Sequence, residues 1–305
     1  MQTTTELLEI IELEQQSERV FVGKSRFMGS PNIFGGQVVA QALNAATRTV
    51  TKERVCHSLH CYFVLPGNLK LPVSYEVAAV RDGGSFTTRF VTAKQNDVPI
   101  FVMAASFQGE EVGVAHQVTM PQVPAPETLS GWIDLSFMED AHEQARMSLF
   151  VNAERPLEMR SCFQPDYSDS AQLQNKSQVW FRFKDVPENI SLPHIQQLIA
   201  YASDYNILGT ALLAHGNKYN YINTQMASLD HAIWFHKPVT DLTDWLLFDM
   251  VSPAAAGARG FASGHIFSRA GELVATVAQE GLLRPMTLRE PVHSNNAQTV
   301  ARAEK

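Results

Sequence analysis

The chain states one plan twice, and that repetition narrows its fold more than any single motif does. In the first half, Gly35-Gly36 opens a run over 37–50 with apolar residues at Val38, Val39, Ala42, Leu43 and Ala46. That is the spacing of one face of a helix. Four strand-like runs follow, at 55–64, 72–81, 85–94 and 99–107. Leu65-Pro66-Gly67-Asn68, Arg81-Asp82-Gly83-Gly84 and Gln95-Asn96-Asp97 separate them, and the last two are hairpin signals. In the second half, strand-like runs at 157–162 and 178–183 come first, and a long helix is predicted from Pro193 to His215. Strands are predicted after it at 225–235, 245–252, 260–268 and 273–283, with Ala270-Gly271 as the last turn. A helix followed by four antiparallel strands, stated twice, predicts an α+β protein with two antiparallel sheets, each wrapped around a central helix. The predicted boundaries are 1–112 for the first unit, 113–155 for a linker, 156–286 for the second unit and 287–305 for a tail. Pro121, Pro124 and Pro126 mark the linker as extended, and a short helix is expected within 134–149.

At 305 residues and 45% apolar composition, the chain can fill two sizeable cores. A net charge of −7 argues against general nucleic-acid binding, which needs a basic face to displace counterions. A local cluster of Arg and Lys could still hold an anionic ligand. Cys56, Cys61 and Cys162 are odd in number and form no CxxC pair, so neither a disulfide framework nor a zinc site is expected. Residues 1–18 are polar and acidic with a helical rhythm at Leu7, Leu8, Ile11 and Leu13, unlike a signal peptide. No run reaches the ~18 apolar residues of a membrane span. The final Ala303-Glu304-Lys305 does not match a Ser-Lys-Leu address, and a cytoplasmic location is the expectation.

Three stretches of the second half place a polar group inside an apolar element. They are Ala202-Ser203-Asp204-Tyr205-Asn206, Met226-Ala227-Ser228-Leu229-Asp230-His231 and Val277-Ala278-Gln279-Glu280-Gly281. A carboxylate, a hydroxyl and an amide that converge can hold a water molecule and remove its proton. On a helical wheel, Asp204 falls opposite the broad apolar side of Leu198, Ile199, Tyr201, Ala202, Tyr205, Leu208 and Leu212. A solvated carboxylate on a helix face would look the same. Ser228 alone reads as an ordinary strand serine. Gln279 ends an apolar run, so its amide is expected to be partly buried and to need partners, which a structural bond to the neighbouring hairpin could also supply. Adjacent strand residues face opposite ways, so Asp230 and His231 are not expected to act together. By the same alternation His57 and His60 are expected to face opposite ways, and no metal site is assigned. Gly35-Gly36 reads either as a tight turn or as a helix start whose N–H groups could bind a carbonyl oxygen. No Gly-x-Ser-x-Gly elbow is present; Gly83-Gly84-Ser85-Phe86-Thr87 lacks the final glycine.

Longer stretches resemble the acyl-CoA thioesterase II family. They are Phe34-Gly35-Gly36-Gln37-Val38-Val39-Ala40-Gln41-Ala42, His57-Ser58-Leu59-His60-Cys61-Tyr62-Phe63 and Arg81-Asp82-Gly83-Gly84-Ser85-Phe86. Tyr201-Ala202-Ser203-Asp204, Leu229-Asp230-His231-Ala232-Ile233-Trp234-Phe235-His236 and Gln279-Glu280-Gly281 extend the likeness, which runs from Arg19 to Met286. The resemblance implies a double hotdog fold and hydrolysis of fatty acyl-CoA to free acid and CoA by an activated water, without a cofactor. It places the family's catalytic Asp, Thr or Ser, and Gln on Asp204, Ser228 and Gln279. Gly35, Gly36, His57 and Phe63 become the candidate substrate-binding residues. Phe34, Tyr62, Phe63 and Tyr205 could line an acyl tunnel, although a core role is the simpler reading of each. One departure is Val64-Leu65 before Pro66-Gly67, where many relatives carry a basic residue. The resemblance also implies a homodimer or larger homo-oligomer. Two rivals remain: a non-catalytic acyl-CoA sensor, and a hotdog enoyl-CoA hydratase, for which His215 stands far along the helix from Asp204.

Overall fold

The computed structural model describes residues 2–133, 144–145, 148, 151–163, 174–216, 218–221 and 223–286. Most of 134–149, where a short helix is expected, and all of 287–305 lie outside them. The repeat is fuller than the sequence reading. After a leading short helix, the first half has two strands, a helix and four strands; the second has two strands, two helices and five strands. The first half runs α1 (Thr4–Ile11), β1 (Glu14–Ser17), β2 (Val20–Gly23), α2 (Gly35–Thr47), β3 (Val55–Phe63), β4 (Val73–Asp82), β5 (Phe86–Gln95) and β6 (Val98–Gln108). The second runs β7 (Leu157–Ser161), β8 (Lys176–Phe183), α3 (Leu192–Ser203), α4 (Ile207–Leu213), β9 (Thr224–Ser228), β10 (Asp230–Phe235), β11 (Leu246–Ala256), β12 (Arg259–Ser268) and β13 (Leu273–Pro285). The expectation missed β1 and β2 because they are four residues each, and Glu14–Ser17 is polar and exposed throughout.

The strands are antiparallel and lie in the order β1-β2-β4-β5-β6-β3-β10-β13-β12-β11-β8-β7, with β9 also on β13. Within each half the order is the same. In the first half β3 is followed across the sheet by β6, β5 and β4; in the second β10 is followed by β13, β12 and β11. The halves are therefore not two separate sheets. They join where β3 pairs with β10, Leu59 opposite Ile233 and Cys61 opposite His231. Both Leu59 and Ile233 are fully buried at this seam.

Turn chemistry fixes the registers. Asn96 and Asp97 both have positive φ, 48° and 64°, which suits the tight β5–β6 hairpin. α2 is buried from Gly36 to Ala46 and α3 from Ile195 to Ser203, because sheet lies on one side of each helix and the other helix on the other. That corrects the wheel: the side of α3 carrying Gln197 and Ala200 meets α2, not solvent. Asn44 Nδ2 reaches Gln197 Oε1 at 3.4 Å across the helix pair.

Two expected elements are divided. The 193–215 helix breaks at Asp204–Asn206, where Asn206 takes a left-handed φ of 67°. The 225–235 strand breaks at Leu229, whose N–H bonds Glu280 O at 2.9 Å while its own carbonyl accepts from Phe63 N at 2.9 Å.

Ile233→Ala removes a fully buried side chain at the seam. It should cost about 2–5 kcal/mol in denaturant unfolding. A loss below ~1 kcal/mol would mean that the seam is not a packed core.

Candidate active site

Asp204 is the cap at the end of α3, with helical φ and ψ but no further helical turn beyond it. The break turns its carboxylate toward the first turn of α2. Oδ2 accepts from the Gly36 N–H at 2.8 Å, and Oδ1 accepts from Gln279 Nε2 at 2.8 Å. The Ser228 hydroxyl adds a third, weaker favourable interaction. The structure thus brings together all three residues of the expected trio.

Each position has a local cause. Gln279 alternates with Val277 and Gly281 on the inner side of β13 and is fully buried. Ser228 ends β9 opposite Gly281, beside the Leu229 break. The glycines at 35 and 36 are required sterically. A Cβ at Gly36 would stand 2.4 Å from the Tyr201 carbonyl oxygen, and one at Gly35 would stand 2.7 Å from Asp204 Oδ2 and 3.0 Å from the Phe63 ring.

Burial pushes the Asp204 carboxyl up to about 6, against the stabilising bonds from Gln279, Gly36 and Ser228 in that order. The carboxylate faces the positive end of α2 and ends the negative end of α3, so the two helix dipoles oppose each other there. Gln279 Oε1 is buried with no hydrogen-bond partner among the described residues. A buried carboxylate poised near neutrality beside an unsatisfied acceptor is what a general base for water requires.

Gly35, Gly36 and Phe63 reach the site, but Gly36 does so differently from the expectation. Its N–H is engaged by Asp204 and is not free for a carbonyl oxygen. His57 is not brought to the trio. A bulge in β3 between Cys56 and Ser58 shifts the alternation, so Cys56 and Leu59 are both buried and His57 and His60 both lie on the outer side. That corrects the expectation that they face opposite ways. His57 Nε2 sits 2.8 Å from Ser106 Oγ and its ring meets Phe86 edge-on; His60 meets Trp234. Tyr62 is 62% exposed and lines no tunnel. Phe34 and Tyr205 do stack near the site, centroids 4.5 Å apart, with Tyr201 edge-on to both.

Asp230 and His231 separate as alternation requires. Asp230 accepts from Glu280 N at 2.6 Å, and the buried His231 meets Ser203 Oγ at 2.8 Å. Burial drives His231 down to about 3, so it is neutral. Among the described residues no cluster of three or more His, Cys, Asp or Glu could hold a metal, and no helix is long and apolar enough to cross a membrane.

The fold is that of hotdog proteins. It superposes on a hotdog-fold protein of unknown function from Alicyclobacillus acidocaldarius with a TM-score of 0.71 at 18% identity, covering 92% of this chain and 99% of that one. Two family models also match, an acyl-CoA thioesterase N-terminal domain over 24–108 and an acyl-CoA thioesterase domain over 150–282. The chain is 38% identical over 280 residues to acyl-CoA thioesterase 2 of Haemophilus influenzae, covering 91% of this chain and 96% of that protein. It is 38% identical over 282 residues to human acyl-coenzyme A thioesterase 8, covering 90% and 88%. A crystal structure of an acyl-CoA thioesterase II from Mycobacterium marinum matches with a TM-score of 0.75 and 35% identity over 94% of this chain and 100% of that one. The chain belongs to the acyl-CoA thioesterase II family.

The sign of the Asp204 shift has a consequence for stability. Its carboxyl titrates at 3.8 when unfolded and near 6 when folded. Between these values the folded chain holds the extra proton, so stability falls as pH rises through that window. The cost is complete above about pH 6 and absent below about pH 4. Asp204→Asn should therefore have a larger free energy of unfolding than wild type at pH 7–8, by on the order of 1–3 kcal/mol, and the gap should close on acidification to pH 4. A variant less stable than wild type at pH 8 would contradict the buried, destabilised carboxylate.

Proposed function

We propose that Asp204 is the general base of an acyl-CoA thioesterase, activating a water that attacks the thioester directly. The observation that carries this is the Asp204 carboxyl, raised to about 6 and held between the Gly36 N–H and Gln279 Nε2, beside the unpartnered Gln279 Oε1. The substrate is a fatty acyl-CoA thioester and the products are the free acid and CoA, in keeping with the named relatives.

A thioester carbonyl gains little resonance from sulfur, and thiolate is a fair leaving group. A positioned base and water are therefore enough. In this reading the water donates one hydrogen to Asp204 and the other to Gln279 Oε1. As its oxygen bonds the carbonyl carbon, its proton passes to Asp204. The tetrahedral adduct then expels the CoA thiolate, and the Asp204 carboxyl returns the proton to sulfur. Ser228 orients the carboxylate, and Phe63 with Gly35 shapes the near wall. The positive end of α2 favours the negative charge that develops in the adduct.

Two hotdog repeats, 1–112 and 156–286, joined by 113–155, accord with the shared strand order of the halves. We extend the proposal to an assembly of two or more copies, as in many hotdog proteins. The intact trio favours an enzyme over a sensor. Against a hydratase stands His231, which is buried, neutral and bonded to Ser203.

Thiol release from a panel of acyl-CoAs tests the reading. Wild type should release CoA, with kcat rising through a midpoint near pH 6 as Asp204 ionises. Asp204→Asn should lose about 100-fold or more in kcat while acyl-CoA binding persists. Near-wild-type turnover in that variant would remove Asp204 as the base. Release from no substrate, with acyl-CoA bound, would favour the sensor.

A further inference from the structure

The break after α3 is held in an unusual way. Asn206 is the N-cap of α4, a position where Asn ordinarily accepts a hydrogen bond from the helix's own first-turn N–H groups. Here its side chain makes no such cap. Its Oδ1 instead accepts from Trp132 Nε1 at 2.6 Å. Trp132 belongs to neither repeat; it lies in the linker, 74 residues earlier in the chain. The indole packs edge-on to Tyr205, centroids 6.2 Å apart, and carries the Arg155 guanidinium over its ring at 4.5 Å. Arg155 stands at the far end of the same linker and also reaches over Tyr205 at 5.9 Å. Trp132 and Arg155 are both nearly buried, at 8% and 7% exposure. The residues they grip, Tyr205 and Asn206, directly follow Asp204 in sequence.

We infer that Trp132 is a positioning residue for the hydrolytic carboxylate: its indole N–H, taken up by Asn206, fixes the left-handed turn that aims Asp204 at Gly36 and Gln279. The inference rests on the proposed role of Asp204. The argument is local. A left-handed φ disfavours L residues, and Asn tolerates it best among non-glycines. Tyr205 bonds back to Ala202 O at 3.1 Å and Ile207 back to Tyr205 O at 2.9 Å, so the chain turns tightly between α3 and α4. With its side chain spent on Trp132, Asn206 cannot rotate to cap α4 without releasing the linker. A rotation of this turn would move the Asp204 carboxylate relative to its two donors, which come from other elements. Trp132 acts through Asn206, and its ring also packs against Tyr205 beside Asp204.

The test is a double-mutant cycle on full-length protein. Trp132→Phe keeps the ring and its packing and deletes the N–H. Asn206→Gly deletes the acceptor and keeps the left-handed backbone accessible. Each single variant should lower kcat about tenfold with KM within about twofold. The double variant should be no slower than the slower single, because both remove the same bond. In parallel, the Asp204 carboxyl is titrated by NMR, with Asp204→Asn identifying its signal. In both single variants the midpoint should fall from near 6, since loosening the turn admits water to the group that burial had raised. Effects of the two substitutions that multiply, or an unchanged kcat and an unchanged midpoint, would overturn the inference. A fall in melting temperature with kcat and midpoint intact would assign Trp132 to packing alone and also overturn it. If Trp132→Phe does not fold, Asn206→Gly carries the same readouts, because it leaves the linker packing in place. If wild type hydrolyses no acyl-CoA, the thioesterase reading fails, while the carboxyl titration still decides whether Trp132 holds Asp204.

Discussion

A carboxylate that must remain charged in apolar surroundings needs donors from whatever lies around it. Asp204 takes one from the start of α2 and one from β13, and these belong to different repeats. Several features of the join serve that arrangement. α2 must begin on glycines, because the α3 carbonyl at Tyr201 and the Asp204 oxygen leave no space for a Cβ. The helix α3 must stop at Asp204 rather than continue. The seam strands must keep their register, since Phe63 at the end of β3 bonds the backbone of Leu229 between Ser228 and Asp230. Burial of the charge opposes folding, while the shape that buries it poises the group near neutral pH.

One polar contact, Asn44 Nδ2 to Gln197 Oε1, spans the two central helices, and the other buried amides tie each helix to the chain around it. Gln37, Gln41 and Asn44 on α2 and Gln196 and Gln197 on α3 are all nearly inaccessible. Gln41 donates to Ile10 O and Lys24 O and accepts from Tyr75 OH; Gln196 donates to Cys56 O. An apolar interface tolerates sliding by a fraction of a turn. A network of directed bonds has few acceptable registers, because each misplaced group is left unsatisfied in a low-dielectric interior. The helix ends that carry Gly36 and Asp204 inherit that fixed register.

Much of this was legible in the sequence. The alternation in the strands after each helix, and the turn residues between them, gave those strands to within a few residues. Asp204, Ser228 and Gln279 each interrupt an apolar run, but it was the resemblance to the acyl-CoA thioesterase II family that named them as a trio. What could not be read follows from interactions remote in sequence. The wheel treated one side of α3 as solvated, but a helix enclosed by both sheet and helix has no solvated side. The break at Asp204–Asn206 contains neither Gly nor Pro, and the Trp132 indole that bonds Asn206 there lies 74 residues earlier in the chain. One bulge at Cys56–Ser58 turned His57 to the outer face, which period-two counting does not foresee. Gly36 could be read as a tight turn or as a carbonyl-binding helix start, because nothing in its own neighbourhood announces that a carboxylate 168 residues away will claim its N–H.

That separation has a temporal side. Helices and hairpins close over short stretches of chain, whereas a bond spanning 168 residues waits for the slow, entropically expensive meeting of the two repeats. Either repeat could collapse and pair its own strands while the carboxylate stayed solvated, with an ordinary acidic titration and no water to activate. The nascent first repeat carries Gly36 and Phe63; the second carries Asp204 with Gln279 and Ser228 but lacks the Gly36 N–H. The chemistry therefore comes into being at the final closure of the sheet, and a chain halted before that step would be largely folded yet inert.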